Sequence, residues 1–191
     1  MATKIKYFVL TGEPGVGKTT LVRKISSSLR DNCIRVTGFY TEEVRKNGIR
    51  EGFDIVTLDG VRGRLARDQK LLSGLTTSTT HRVGKYGVII NEFENIALPS
   101  LIKPSDKQRH LLVIDEIGKM ELFSEQFRSA IKNIFNEDFI VLATIPVRKS
   151  DQLVETIRNH RQAKIWMITR ENRNGIHEDI LKELNNALEC C

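Results

Sequence analysis

A single α/β domain, built on a mostly parallel sheet with helices on both faces and an inserted antiparallel hairpin, is the fold this sequence predicts. Three observations carry the prediction. Short aliphatic runs at residues 7–11, 111–114, 140–145 and 164–168 each give way to a stretch with apolar residues at helical spacing. Strands that alternate with helices are joined by crossovers, which cover a parallel sheet on both sides. An Asn47-Gly48 turn between two extended runs adds the hairpin, and 191 residues suit one core better than two.

The elements follow in order. Residues 7–11 form an apolar run stopped by a Gly-Pro-Gly cluster, a buried strand meeting a turn. Residues 18–30 place Leu21 or Val22, Ile25 and Leu29 on one helical face. Residues 36–45 and 53–58 flank Asn47-Gly48 as the arms of the hairpin. Residues 60–82, rich in Gly, Ser, Thr and Arg with little periodicity, predict a long surface loop. A short strand at 86–90 and a helix at 92–101, ending before Pro104, come next. The run 111–114 is aliphatic throughout and leads into Asp115-Glu116, as in a strand buried on both faces with acids at its carboxyl end. Residues 120–135 align Met120, Phe123, Phe127, Ala130, Ile131 and Ile134 on one helical stripe. Strands at 140–145 and 164–168 enclose a helix at 150–161, with Trp166 as a core residue. A last helix at 176–188 carries Ile176, Ile180, Leu184, Ala187 and Leu188 along one side. Neither an internal repeat nor a domain boundary interrupts the pattern.

With 40% hydrophobic and 28% charged residues, the composition is that of a globular protein rather than a disordered one. A formal charge of +6 and a pI near 9.3 suit a polyanionic partner, and nucleic acid, acidic membrane and nucleotide phosphate all qualify. The basic residues are scattered, densest at 62–67, which favours a solvated surface and leaves nucleic acid the lesser option. The longest apolar stretch, residues 139–147, falls far short of the ~20 needed to cross a bilayer, so no membrane partner is expected. No secretory leader fits ahead of Gly12. Cys33, Cys190 and Cys191 make neither a metal spacing nor an even disulfide framework, which points to a reducing compartment and to the cytoplasm. The terminal Cys-Cys resembles the prenylated tail of some small GTPases, but it lacks the CaaX pattern and a polybasic lead. His81, His110, His160 and His177 are dispersed, with no metal spacing, and count as surface or core residues. A monomer is the default.

The chemistry concentrates in two places. Gly12-Glu13-Pro14-Gly15-Val16-Gly17-Lys18-Thr19 matches the Walker A pattern in full, between a predicted strand and a predicted helix. Its glycines let successive backbone N–H groups turn inward on phosphate oxygens, and the following helix adds its positive end. Lys18 then reaches the β- and γ-phosphates, Thr19 is placed to ligate magnesium, and Thr20 lies within reach of the α-phosphate. The acids after residues 111–114 complete the set: Asp115 to hold the magnesium, Glu116 to orient or deprotonate the attacking water. Outside such a context, an aliphatic run ending in two acids is only a strand with a solvated end.

Other candidates are looser. Thr144 would sense the γ-phosphate or position water if its strand neighbours that of Asp115, and is otherwise an ordinary β-branched strand residue. The loop 169–174 follows the last strand, where ligands sit in doubly wound sheets, so Asn172 and Arg173 are candidates for base or sugar contact, with helix entry as the alternative. Arg148, Arg170, Arg173 or Lys119 could supply a cation for the transition state, and the sequence does not choose among them.

Several segments together resemble a known family: residues 12–20, Gly38-Phe39-Tyr40-Thr41-Glu42-Glu43-Val44-Arg45, Gly52-Phe53-Asp54, Asp115-Glu116-Ile117-Gly118-Lys119-Met120-Glu121 and Thr169-Arg170-Glu171-Asn172-Arg173. The chain is similar across nearly its whole length to the small nucleoside-triphosphatases, a family that includes the cancer-related nucleoside-triphosphatase of animals and thermophile homologues. The resemblance implies a compact P-loop NTPase domain related to RecA-like ATPases, hydrolysing ATP, GTP and other triphosphates with Mg2+ and loose base selectivity. Carried over by position, residues 12–19 would bind phosphate and Asp115-Glu116 would serve metal and water.

A nucleotide or nucleoside kinase is the nearest rival, with residues 62–67 as a weak candidate for an arginine-rich lid. Glu116 beside Asp115 favours water as acceptor. A GTPase-like switch would want an Asn-Lys-x-Asp guanine reader, which the sequence lacks. A nucleic-acid-stimulated ATPase rests on the charge alone.

Overall fold

The computed structural model describes residues 4–72, 81–104, 108–149 and 151–189, so Ser150, Cys190, Cys191 and part of the segment expected as a long loop lie outside the described residues. The chain runs β1 (Tyr7–Gly12), α1 (Lys18–Asp31), β2 (Arg35–Lys46), β3 (Ile49–Thr57), β4 (Arg62–Asp68), α2 (Gln69–Leu72), β5 (Arg82–Val83), β6 (Tyr86–Val88), α3 (Ile90–Ser100), β7 (His110–Ile114), α4 (Glu125–Ile134), β8 (Ile140–Pro146), α5 (Gln152–Arg158), β9 (Ala163–Met167) and α6 (Ile176–Glu189). One nine-stranded sheet has the spatial order β5-β6-β4-β3-β2-β7-β8-β1-β9.

The sheet is mixed, which corrects the expectation of a mostly parallel one. From β2 through β7, β8 and β1 to β9 every pairing is parallel, whereas β2-β3, β3-β4, β4-β6 and β6-β5 are antiparallel. The difference arises at residues 60–82, expected as loop. Arg62, Arg64 and Arg67 look solvated in the sequence but are partnered: Arg62 and Arg67 donate across strands to Asp54 at 2.8 and 2.5 Å, and Arg64 to Glu92 of α3 at 2.8 Å. Their pairing lets Leu65 and Ala66 bury into the core, and the hairpin around Asn47-Gly48 grows into a wing of β2, β3, β4, β6 and β5.

In the parallel half, alternate residues face opposite cores. Tyr7 and Val9, Leu112 and Ile114, Val141 and Ala143 point toward α3, α4 and α5; Phe8 and Leu10, Leu111 and Val113, Ile140 and Leu142 point toward α1 and α6. These side chains are almost wholly buried, each contributing on the order of 1.5–3 kcal/mol if a Val, Leu, Ile or Phe. Helices therefore cover both faces, as expected. Gly38 (φ +102) lets β2 press against β7, since a Cβ there would lie 1.9 Å from the Val113 carbonyl oxygen.

Two helices differ from expectation. The stretch 120–135 is not continuous: a 3-10 turn at Glu121–Phe123 precedes Ser124, whose hydroxyl accepts from the Phe127 amide at 2.9 Å and starts α4. A serine cap of this kind, worth about 1 kcal/mol, outcompetes helix continuity through residues that share the same apolar stripe. The helix expected at 150–161 is confined to α5 and is capped by Asp151, which accepts from Leu153 N at 2.8 Å. Trp166 is half-buried rather than central, because β9 is an edge strand, and Lys164 lies 4.5 Å over its ring. Among the described residues no helix is long and apolar enough to cross a membrane.

Candidate active site

The glycine loop lies between β1 and α1. Gly12 must be glycine for packing, as a Cβ would sit 2.4 Å from the Ile168 carbonyl oxygen, and Val16 anchors the loop by burying beside α1. Gly17 (φ 110) turns the chain into the helix without a side-chain cap, so the first-turn amides of α1 keep their hydrogen-bonding capacity for a ligand. The Lys18 ammonium donates to the Gly12 and Glu13 carbonyls at 2.8 and 3.2 Å.

Parallel pairing of Ile114 with Ala143 puts the two following residues side by side. Thr144 donates from its hydroxyl to Asp115 Oδ1 at 2.6 Å, and both side chains are buried. The threonine is thus committed to holding the carboxylate. Asp115 Oδ2 is buried with no hydrogen-bond partner of good geometry. Burial pushes the Asp115 carboxyl upward, opposed by Thr144, Thr19, the Thr41 amide and the Lys18 charge. The following peptide bond, Asp115-Glu116, is cis. Glu116 is raised first by burial and then by Asp115, with Lys18 opposing.

Glu116 borders two clefts with Lys18. One, of about 350 Å³, is walled also by Glu13, Pro14, Pro146 and Arg148. The other, of about 540 Å³, reaches Gly15, Gly17, Thr19 and Thr20 and is closed by Thr41, Arg50 and Phe53 of the β2–β3 hairpin. The hairpin wall escaped the sequence-based assignment of site residues; only the narrow Gly38–Arg45 segment signalled it. Arg23 of α1 joins it, 4.9 Å over the Tyr40 ring and bonded to Glu42.

The donor set fits a hard divalent cation. The Thr19 hydroxyl and the partnerless Asp115 oxygen are both oxygen ligands, and among the described residues no group of three or more His, Cys, Asp or Glu gathers to saturate a metal. Such a site leaves coordination positions to water and substrate oxygens, as magnesium prefers.

A third acid lies behind Glu116. Glu121, in the 3-10 turn, is buried and accepts from the Gly118 amide at 3.1 Å. Burial, and after it the Glu116 charge, pushes its carboxyl up to about 8. Because this value is raised on folding, the folded state keeps a proton that the unfolded chain gives up. Its contribution to stability is full below the ordinary value near 4.5 and is lost as pH rises toward 8, with a slope approaching about 1.4 kcal/mol per pH unit. Glu121→Gln keeps an oxygen for the Gly118 amide and has no proton to lose. Denaturant unfolding of nucleotide-free protein between pH 5 and pH 8 should show the parent losing stability more steeply than the variant, and parallel profiles would refute the assignment.

The loop 169–174 reaches the glycine loop through Arg173. Its guanidinium donates to Val16 O at 3.2 Å, and its Cδ lies 3.7 Å from where a Cβ on Gly17 would stand. Asn172 spends its amide on the turn, accepting from Thr169 N at 2.9 Å and donating to Met167 O at 2.8 Å. Of the other cations, Arg148 borders the smaller cleft, while the exposed Lys119 and Arg170 border neither.

Comparison with known proteins bears on this arrangement. A family model described as NTPase matches residues 7–181. The chain is 46% identical over 182 residues to the cancer-related nucleoside-triphosphatase of Homo sapiens, covering 92% of this chain and 95% of that protein. It is 43% identical over 176 residues to the nucleoside-triphosphatase THEP1 of Thermotoga sp. (strain RQ2), covering 92% and 94%. The crystal structure of THEP1 from Aquifex aeolicus superposes with a TM-score of 0.81 at 41% identity, over 93% of this chain and 98% of that one.

Proposed function

The chain belongs to the NTPase family and hydrolyses nucleoside triphosphates, and we propose that it does so as a magnesium-dependent P-loop enzyme of the RecA-like group with loose base selectivity. It would act in the cytoplasm as a monomer on free nucleotides, without a polynucleotide partner. One observation carries this reading: Lys18, Thr19 and Glu116 border one cleft, with a buried Asp115 oxygen left unbonded behind it.

In this reading Gly12, Glu13, Pro14, Gly15, Val16 and Gly17 wrap the phosphates with their backbone, and Thr20 meets the α-phosphate. Lys18 exchanges the carbonyls of Gly12 and Glu13 for β- and γ-phosphate oxygens. Thr19 and Asp115 would hold magnesium, Thr144 keeping the Asp115 carboxylate in one orientation. The chemistry supplied by that ion when bound is neutralisation of triphosphate charge. Glu116 accepts a proton from the attacking water; its raised basicity suits the task, since a base works best when its pKa approaches the working pH. The water oxygen bonds to the γ-phosphorus as the bond to the bridging oxygen breaks, releasing diphosphate and phosphate.

Base and sugar would lie toward Arg173, whose planar cation stacks on any base without reading its edge. With the Asn172 amide already bonded within its loop, that loop offers little to distinguish purine from pyrimidine. Phosphate release from ATP, GTP, CTP and UTP, with magnesium and with excess EDTA, tests these points. Rates within about tenfold of one another are expected, because readout without base-edge hydrogen bonds discriminates weakly, and loss of release with EDTA. Absence of release from every triphosphate would overturn hydrolysis, undiminished release in EDTA the metal, and a single strongly preferred base the loose selectivity.

A further inference from the structure

Charge builds on the transferring phosphoryl group as its bond to the diphosphate breaks, and Lys18 is one cation. Building on the proposed function, the geometry points to Arg148 as a second, internal one: a catalytic residue that contacts the γ-phosphoryl oxygens in the transition state. Four kinds of observation converge on it.

The first is register. Pro146, the last residue of β8, pairs with Gly12, the last of β1, so the chain at 147–148 leaves the sheet alongside the start of the phosphate loop. Arg148 accordingly borders the same cleft as Glu13, Lys18 and Glu116. The second is the mount. Arg158 of α5 donates to the Pro146 carbonyl at 2.5 Å and is steadied by Glu155 at 3.3 Å. Proline's fixed φ stiffens the same point, so the segment bearing Arg148 is anchored two residues before it.

The third is availability. Arg23 is bonded to Glu42, Arg50 is paired with Glu43, and Arg173 is spent on the Val16 carbonyl. Arg148 is exposed and has no ion pair or hydrogen bond among the described residues. An arginine tied to a carboxylate would have to break that pair before serving phosphate, whereas this one is free to move. The fourth is placement by elimination. Lys119, Arg170 and Arg173 border neither cleft with Glu116, Arg173 lying against Val16 and Gly17. A flexible, permanently charged, forked donor beside the water-activating acid is suited to oxygens whose charge grows during reaction.

The test separates transition-state contact from binding and from structure. Arg148→Ala should lower kcat by about 100-fold or more while leaving KM for Mg-ATP within about threefold, as loss of a donor acting only in the transition state requires. Arg148→Lys should fall between parent and alanine variant. Added guanidinium at non-denaturing concentration should partly restore the alanine variant, which a merely structural defect would not allow.

A readout without turnover completes it. The affinity of the ADP–aluminium fluoride complex, which imitates the transferring group, should fall in Arg148→Ala by about the same factor as kcat. The ADP–beryllium fluoride complex, which imitates bound triphosphate, should hold within about threefold. Turnover near the parent's, or equal weakening of both fluoride complexes, would overturn the inference. If Glu116→Gln is inactive while Arg148→Ala is not, only the role of Arg148 falls; if Glu116→Gln retains the parent rate, the proposed mechanism falls with it.

Discussion

Phosphate release by Glu116→Gln is expected to drop by about 10²–10⁴-fold, with Mg-ATP affinity close to the parent's. The substitution removes the proposed proton acceptor and little else. Gln has the same length, fits the same half-buried position and keeps an oxygen toward the cleft, so nucleotide contacts made by the loop, Lys18 and Thr19 persist. Affinity should even rise slightly, because a carboxylate facing the phosphates repels them. Single-turnover hydrolysis alongside calorimetric binding of Mg-ATP would check both halves, and parental turnover would remove Glu116 from its role. The pH profile supplies a second check. Burial and Asp115 raise the Glu116 carboxyl, so the parent's rate should fall on acidification at a pH above the ordinary glutamate range near 4.5, as the base takes up its proton. That acid limb should be absent from whatever activity Glu116→Gln retains.

Lys18→Ala should damage binding and turnover together. In the proposed function the ammonium meets charge in the bound triphosphate and more charge as reaction proceeds, so removing it should weaken Mg-ATP binding by about 10-fold or more and lower kcat by about 10²–10³-fold. Of the two carbonyls it contacts, that of exposed Glu13 reverts to water and that of buried Gly12 loses one part-buried bond, so thermal stability should fall by no more than about 1 kcal/mol. A further effect distinguishes this variant from a collapsed loop. Lys18 holds down the carboxyls of both Asp115 and Glu116, and without it both should titrate higher, moving the acid limb of residual activity to higher pH. Unchanged binding in this variant would mean that the phosphates lie elsewhere.

The parts legible in the sequence were those written in local pattern. Strand, glycine loop and helix at residues 7–31 follow from apolar runs and from Gly17, and β7 with its two acids from four aliphatic residues in a row. Long-range charge was harder to see. Arg62 and Arg67 look like solvent-facing residues until Asp54, on a neighbouring strand, is brought beside them, and a whole strand was hidden by that ambiguity. Ser124 likewise sits in an unbroken helical stripe, and only its bond to the Phe127 amide shows that the helix begins anew there. At the site, the sequence named Thr144 without deciding its role; β8 lies against β7 and turns the hydroxyl onto Asp115. Glu121 appeared in a motif with no role attached, since nothing in a linear pattern tells that a carboxyl three residues after Gly118 folds back onto that residue's amide.

The division of the sheet also sets an order of assembly. Strands β2 to β6 pair with near neighbours along the chain, apart from the seam between β2 and β7, and that wing can zip up as soon as residue 88 has been synthesised. By contrast β1, the first strand made, lies between β8 and β9, with Tyr7 opposite Val141 on one side and Ala163 on the other. One apolar face can be met early by α1, but both of its peptide edges wait until the chain has been made to residue 141 and beyond. Nascent chains halted before β8 should therefore be sticky, chaperone-seeking species carrying a finished wing and an orphan phosphate loop.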